Sequence, residues 1–225
     1  MAMTADGKIA TANRRVSSFG SKLDRENLFK LRAQADAIMV GARTADSSPV
    51  NLGPGPTGHG THRVEHRRAR YSIRVIVSGT GTINPNAEVF RHRFSPIIIL
   101  TTKNLPTSRF RQLKPLAEAV KVCGHKQVDF KEALRWLHEK WGVKRLLCEG
   151  GGQLNDALFR AGVVDELHLT ICPIIFGGRN AATIADGVGV PKLSNAAVLR
   201  LKSLKRVANE VFLVYEVLKK SKSNV

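Results

Sequence analysis

The residues best suited to chemistry stand together in Cys148-Glu149-Gly150-Gly151-Gly152-Gln153-Leu154. Glycine inside regular structure costs roughly 0.5 to 1 kcal/mol more than alanine, so three in a row answer a need that side chains would block. Upstream, residues 143–148 read as a short buried strand. Downstream, Leu154, Ala157, Leu158 and Ala161 fall at i, i+3, i+4 and i+7, the apolar stripe of a helix that Gly162 ends. The glycines therefore lead into a helix N-terminus, where unpaired N–H groups and the positive end of the helix dipole can hold an anion. Phosphate or pyrophosphate fits, with Glu149 beside it; a tight strand-to-helix turn without a ligand fits the same residues.

Other clusters carry less. His59, His62 and His66 have a spacing that resembles a metal cluster, but no carboxylate or thiol partner is expected beside them, and no metal is assigned. Cys123, Cys148 and Cys172 are odd in number and far apart, each at the end of an apolar run, where a free thiol packs as a small hydrophobe. The stretch Gly53-Pro54-Gly55-Pro56-Thr57-Gly58 matches G-x-G-x-x-G by letter. It follows no strand, and its prolines are expected to keep it a loop that opens no helix. A P-loop lysine motif, a zinc deaminase signature and G-x-S-x-G are all absent from the sequence.

The formal net charge of +18 and the pI near 10.5 favour anionic partners: nucleic acid, a membrane surface or phosphorylated small molecules. Positive charge concentrates in residues 59–70 and 219–222, both expected to be solvated surface. Nucleic-acid binding would need interleaved aromatic residues, and Tyr71 alone stands beside the arginines, so nucleic acid is not the expected partner. The sequence has no run of 18 apolar residues and no signal-peptide pattern, so a cytoplasmic protein without a membrane segment is expected.

The elements that must position Glu149 follow from periodicity. A short first strand ends before the turn at residues 4–8. Asp24 introduces a helix carrying Leu28, Leu31 and Ala35, followed by a strand at 37–40 and a turn at 41–44. Residues 46–71 form a long basic loop, and β-type runs follow at 72–78, 96–102 and 119–122. Phe130, Ala133, Leu134, Leu137 and Trp141 mark an amphipathic helix. Residues 164–171 and 210–218 alternate as half-buried strands, with about forty residues of glycine-rich loop and short structure between them. This order indicates a single α/β domain over residues 1–225, its sheet mostly parallel and flanked by helices, with antiparallel strands at the C-terminal end.

An ordered set of motifs spans nearly the whole chain: residues 2–11 (AMTADGKIAT), 31–41 (LRAQADAIMVG), Thr44, 74–78 (RVIVS), Thr101-Thr102, 149–152 (EGGG) and 173–178 (PIIFGG). In these the chain resembles the riboflavin-biosynthesis pyrimidine reductases, including the reductase domain of the bifunctional deaminase/reductase. The resemblance implies a dihydrofolate-reductase-like fold, a homodimer and NADPH as cofactor. It implies reduction of a ribosylamino-pyrimidine 5′-phosphate to the ribitylamino compound, by hydride delivery to C1′ of the opened sugar. It also implies cofactor contacts at Ala2, Thr44, Ser78, Gly150, Gly151, Gly152, Gln153 and Leu154, a substrate-phosphate contact at Arg32 and a substrate contact at Glu149. A paralogue of the same fold with another pyrimidine or pterin-like substrate is the alternative.

The chain departs from the family after Thr44. Where the family commonly has two aspartates, a proline and then an arginine that helps hold the substrate, this sequence has serines for the aspartates and Pro54 where the arginine would lie. Asp46 is taken as the shifted carboxylate among the cofactor contacts. Arg32 is expected to carry more of the phosphate, helped by Arg63, Arg67, Arg68 or Arg70 from the basic loop.

Overall fold

In the computed structural model, which describes residues 1–13, 19–46 and 50–219, the chain runs through sixteen labelled elements. They are β1 (Ala2–Thr4), α1 (Lys22–Gln34), β2 (Ala37–Gly41), α2 (Ala42–Ala45), α3 (Thr57–Glu65), β3 (Ile73–Val77), α4 (Glu88–Arg91), β4 (Ile97–Thr101), α5 (Thr107–Leu113), β5 (Ala119–Val122), α6 (Phe130–Trp141), β6 (Leu146–Cys148), α7 (Gly152–Ala161), β7 (Glu166–Cys172), β8 (Val198–Val207) and β9 (Glu210–Leu218).

Five strands pair in parallel in the order β5-β4-β3-β2-β6. The near-continuous apolar runs of β2 and β4 are what a sheet covered on both faces demands. One face packs Met39, Val75, Ile98 and Leu100 against Phe130, Ala133 and Leu137 of α6 and Leu154 and Leu158 of α7. The other packs Ile38, Val40, Ile76, Ile97 and Ile99 against Val89 and Phe90 of α4 and Leu113 of α5. α6 starts on Asp129, whose carboxylate accepts from the amides of Lys131 and Glu132, and ends on Gly142 in the left-handed region.

A second sheet, in the order β1-β7-β9-β8, joins β1 in parallel to β7 and runs antiparallel beyond it. β8 is its edge and carries a bulge between Leu201 and Ser203. Because side chains alternate along a strand, the extra residue restores Leu204 to the face that Leu199 and Leu201 share. Their partners on β9, Val217, Tyr215 and Leu213, confirm the common face.

Several expectations are corrected here. The long stretch after Asp46 is not all loop: Pro56 occupies the position before the first turn of α3, where its missing N–H removes nothing the helix would use. The expected turn after Val40 continues from Gly41 into α2, and α1 is capped by Ser21, three residues before the Asp24 expected to introduce it. β6 is shorter than expected because the amides of Lys144 and Arg145 donate instead to the Asp36 carboxylate. The ten-residue β8 lies where only short structure was expected, its polar and apolar residues masking an exposed edge strand. The serines and proline at 47–49, and the lysines at 220 and 222, lie outside the described residues.

Candidate active site

Strand order reverses between β2 and β6: the chain leaves β2 toward β3 and returns from β5 across the sheet to β6. In open α/β sheets a crevice forms outside the carboxyl ends of the strands at such a switch point. The glycine turn sits there. Glu149 N–H donates to Met39 O and Gly41 N–H donates to Gly150 O, both at 2.9 Å, tying the ends of β2 and β6 together.

Each glycine of the turn serves a different need. Gly150 lies at φ 88°, in the left-handed region, and the Gly150–Gly151 peptide is cis. A Cβ on Gly151 would point toward the Thr44 hydroxyl, 3.4 Å away, into the space between this turn and α2. A Cβ on Gly152 would fall on the Thr183 carbonyl oxygen, so this glycine permits close packing of the 183–186 segment. Gly151, the N-cap of α7, has no side chain to offer, and the first helical bond runs from Asn155 N–H to Gly151 O at 3.1 Å. The amides of Gly152, Gln153 and Leu154 therefore have no partner within the helix, and the dipole adds positive potential.

Arg32, in the last turn of α1, reaches this turn. Its Nε donates to Glu149 Oε1 and its Nη2 to Glu149 Oε2, both at 2.6 Å, while Nη1 donates to Gly53 O at 2.7 Å. The two side chains retain only 12% and 13% of their accessible surface, so the pair is nearly buried. A guanidinium has five N–H donors; among the described residues three are used, and two remain for another acceptor.

The expected contacts thus divide. Arg32, Glu149, Thr44, Gly150 and Gly151 meet at the ends of β2 and β6. Ser78 follows β3, one strand away; its hydroxyl is buried and has no hydrogen-bond partner among the described residues. Asp46 turns aside, its Oδ1 accepting from Asn84 N–H at 2.8 Å, which fixes the turn after β3. Ala2 lies in the other sheet opposite Thr170, while the neighbouring Met1 side chain reaches the Gly150 position. Gln153 is exposed at the start of α7, and the Leu154 side chain is core, leaving only its amide toward the crevice.

Arg63 is not on the solvated surface where residues 59–70 were expected. It is buried, its Nη1 donating to the carbonyls of Arg32 (3.0 Å), Ala33 (3.2 Å) and Ala35 (2.5 Å) and its Nε to Ala69 O (2.8 Å). It caps the C-terminus of α1, the turn that carries Arg32, since the last carbonyls of a helix lack intrahelical donors. Arg68 pairs with Asp36 at 3.6 Å and Arg70 lies over the Tyr71 ring.

Two residues escaped sequence reasoning. Asn155 donates to Ile184 O at 2.7 Å, and the buried Asp156 accepts from the amides of Val188 and Gly189, each at 3.1 Å, and from Arg160. Together they hold the 183–189 segment against the first turn of α7. Both fall off the apolar stripe of α7, the position of a solvated residue, so periodicity offered no signal for them.

Residues 1–213 match the profile of the RibD C-terminal domain. The chain is 34% identical to a Methanothermobacter thermautotrophicus protein named 2,5-diamino-6-ribosylamino-4(3H)-pyrimidinone 5′-phosphate reductase, over 96% of this chain and 95% of that one. It is 33% identical to an Aquifex aeolicus protein of the same name, over 97% and 94%. Among solved structures, a pyrimidine reductase-like protein from Corynebacterium diphtheriae superposes with a TM-score of 0.80 at 25% identity, covering 97% of this chain and 90% of that one.

Proposed function

Because the chain belongs to the RibD C-terminal domain family, we propose that it is a riboflavin-pathway reductase that converts a ribosylamino-pyrimidine 5′-phosphate to its ribitylamino form with NADPH. The observation that carries this reading is the Arg32–Glu149 pair set beside the open N-terminus of α7 at the sheet's switch point. The chemistry of the site fits a dinucleotide: amides at Gly152, Gln153 and Leu154 with no partner inside the helix, room at Gly151 beside the Thr44 hydroxyl, and a buried Ser78 hydroxyl with no hydrogen-bond partner among the described residues. NADPH, when bound, supplies the hydride. The amides of α7 would hold its pyrophosphate, with Thr44 and Ser78 as further contacts and Ala2 bordering the site.

The substrate needs a cation for its phosphate and an anion near its reacting nitrogen. Arg32 has two free donors for the first. Glu149, fixed by Arg32, can offset positive charge on a protonated imine nitrogen at C1′, which hydride addition then discharges to an amine. The two close relatives named for the diamino compound favour that form over the deaminated one. The chain is taken to act in the cytoplasm as one reductase domain over residues 1–225, and as a homodimer, for which the exposed Leu199, Leu201 and Leu204 on β8 are a suitable surface.

Oxidation of NADPH, followed by nicotinamide absorbance with the diamino compound and with its deaminated counterpart, tests this. Turnover of the diamino compound in clear preference is expected. A protein that binds NADPH and reduces neither would be a paralogue with another pyrimidine or pterin-like substrate.

A further inference from the structure

The end of α3 carries a cluster that the site above does not use. His62 and His66 stand one turn apart with ring centroids 4.0 Å from one another, and Glu65 lies beside them. One ligand atom from each of the three falls within 4.8 Å of the others, and all three side chains are exposed. The grouping differs from the histidine spacing in the sequence. His59 leaves it, its Nε2 lying 3.3 Å from Glu26 Oε1 and its ring packing on Phe29. Glu65 supplies the carboxylate that had not been expected there.

Two further features suit a cation. His66 Nδ1 lies 2.8 Å from His62 O, so with the proton on Nδ1 the ring donates to that carbonyl and turns an Nε2 lone pair outward. Metal-binding histidines almost always have their second nitrogen anchored in this way. The backbone below is also fixed: Arg63, between the ligands in sequence, is buried and bonded to four carbonyls. Binding therefore orders only side chains, which lowers its entropic cost.

We propose that His62, Glu65 and His66 form a binding site for a borderline divalent transition-metal ion such as Zn²⁺, with Ni²⁺ and Cu²⁺ also accepted. Two imidazole nitrogens and one carboxylate oxygen are ligands these ions take, and water completes the coordination sphere. The exposed Arg67 nearby and the open face make the site one of modest affinity, with a Kd on the order of 10⁻⁵ M.

The test is calorimetric titration of the full chain, stripped of metal, with zinc sulfate. One saturable site is expected in the parent. His62→Ala and His66→Ala should each weaken it by about tenfold or more, the magnitude typical of disturbed metal shells, while His59→Ala leaves it unchanged. Nickel added to isotope-labelled protein should broaden the imidazole resonances of His62 and His66 before those of the other histidines. These side chains are exposed, so the variants should keep the parent's melting temperature in chelator. No saturable binding by the parent, or equal binding by the His62→Ala/His66→Ala double variant, would overturn the proposal.

Discussion

Arg32 grips Glu149 through two parallel hydrogen bonds of 2.6 Å and keeps two N–H donors uncommitted. One residue thereby fixes the carboxylate at the glycine turn and remains able to bind an anion. Arg32→Met should lower kcat/KM for the pathway substrate roughly 30- to 1,000-fold, since a charge-assisted bond to a buried phosphate contributes about 2 to 4 kcal/mol. NADPH affinity should change little. Steady-state kinetics beside a cofactor titration separates the two, and unaltered kcat/KM would remove Arg32 from the phosphate site.

The glycines should separate by phenotype. Gly151→Val fills the space facing Thr44 and should abolish NADPH binding while leaving the melting temperature close to the parent's. Gly152→Ala meets backbone at Thr183 and should destabilise by about 1 to 3 kcal/mol, as overpacking does. Calorimetry and thermal melts on both variants check this; calorimetric NADPH binding unchanged in Gly151→Val would reject the turn as the pyrophosphate site.

Arg63→Met strips donors from the carbonyls of Arg32, Ala33 and Ala35. A loss of about 2 to 4 kcal/mol is expected, roughly 5 to 15 °C in Tm for a chain of this size. Because the same turn aims Arg32, kcat/KM should fall as well, and Arg63→Lys should recover part of both. A variant with parent-like Tm would show that the cap is dispensable.

Burial pushes the Asp156 carboxyl up, but the Arg160 guanidinium and the amides of Gly189 and Val188 outweigh it and hold the group below its ordinary value of 3.8. A depressed carboxylate contributes stability that is complete above 3.8 and disappears as pH falls through the lower folded value. The Tm difference between the parent and Asp156→Asn should therefore be constant near neutrality and shrink below that pH. Melting curves across the acid range would refute this if the gap stayed constant.

Desolvation pushes the thiol of Cys123 up to about 11 and those of Cys148 and Cys172 to about 12, from an ordinary 9.0. At pH 8 their thiolate fractions fall roughly 100- to 1,000-fold below that of a free thiol, and alkylation requires the thiolate. Iodoacetamide should leave the folded protein unmodified for hours and label all three cysteines after denaturation. Rapid labelling of any one, read by mass spectrometry, would show that its thiolate is not suppressed, and the partly buried Cys148 is the most stringent case.

Periodicity located β2, β4 and α6 closely because each presents its apolar residues to a covered face, and it found β5 and β9 as well although Val122 and Leu218 at their ends are exposed. The same logic found the strand-to-helix glycine turn. It failed where polar groups are satisfied inside the protein. Arg63 sits in a run of positive charge whose average fate is solvent, and only the three-dimensional return of α3 onto α1 reveals the carbonyls that it serves. Asn155 and Asp156 were hidden for the same reason. β8 was overlooked because an exposed edge strand has no buried face to impose a pattern. Motif likeness brought Arg32 and Glu149 to notice separately; their direct pairing across 117 residues is legible only in the fold.

The bulge on β8 also sets the reading frame of that strand. Losing Lys202 would remove the bulge yet leave every β9 pairing as it is, Ser203 following Leu201 directly opposite Val214 and Leu204 keeping its place on the apolar face opposite Leu213. It would also remove the ammonium that reaches across to Glu166 on β7. A residue inserted between Ser203 and Leu204 would instead turn the later residues over and put Lys205 on the apolar face in place of Leu204. Insertions should therefore collect in the loops on either side of β8 and avoid its middle, where only loss of the bulged residue keeps the two faces as they are.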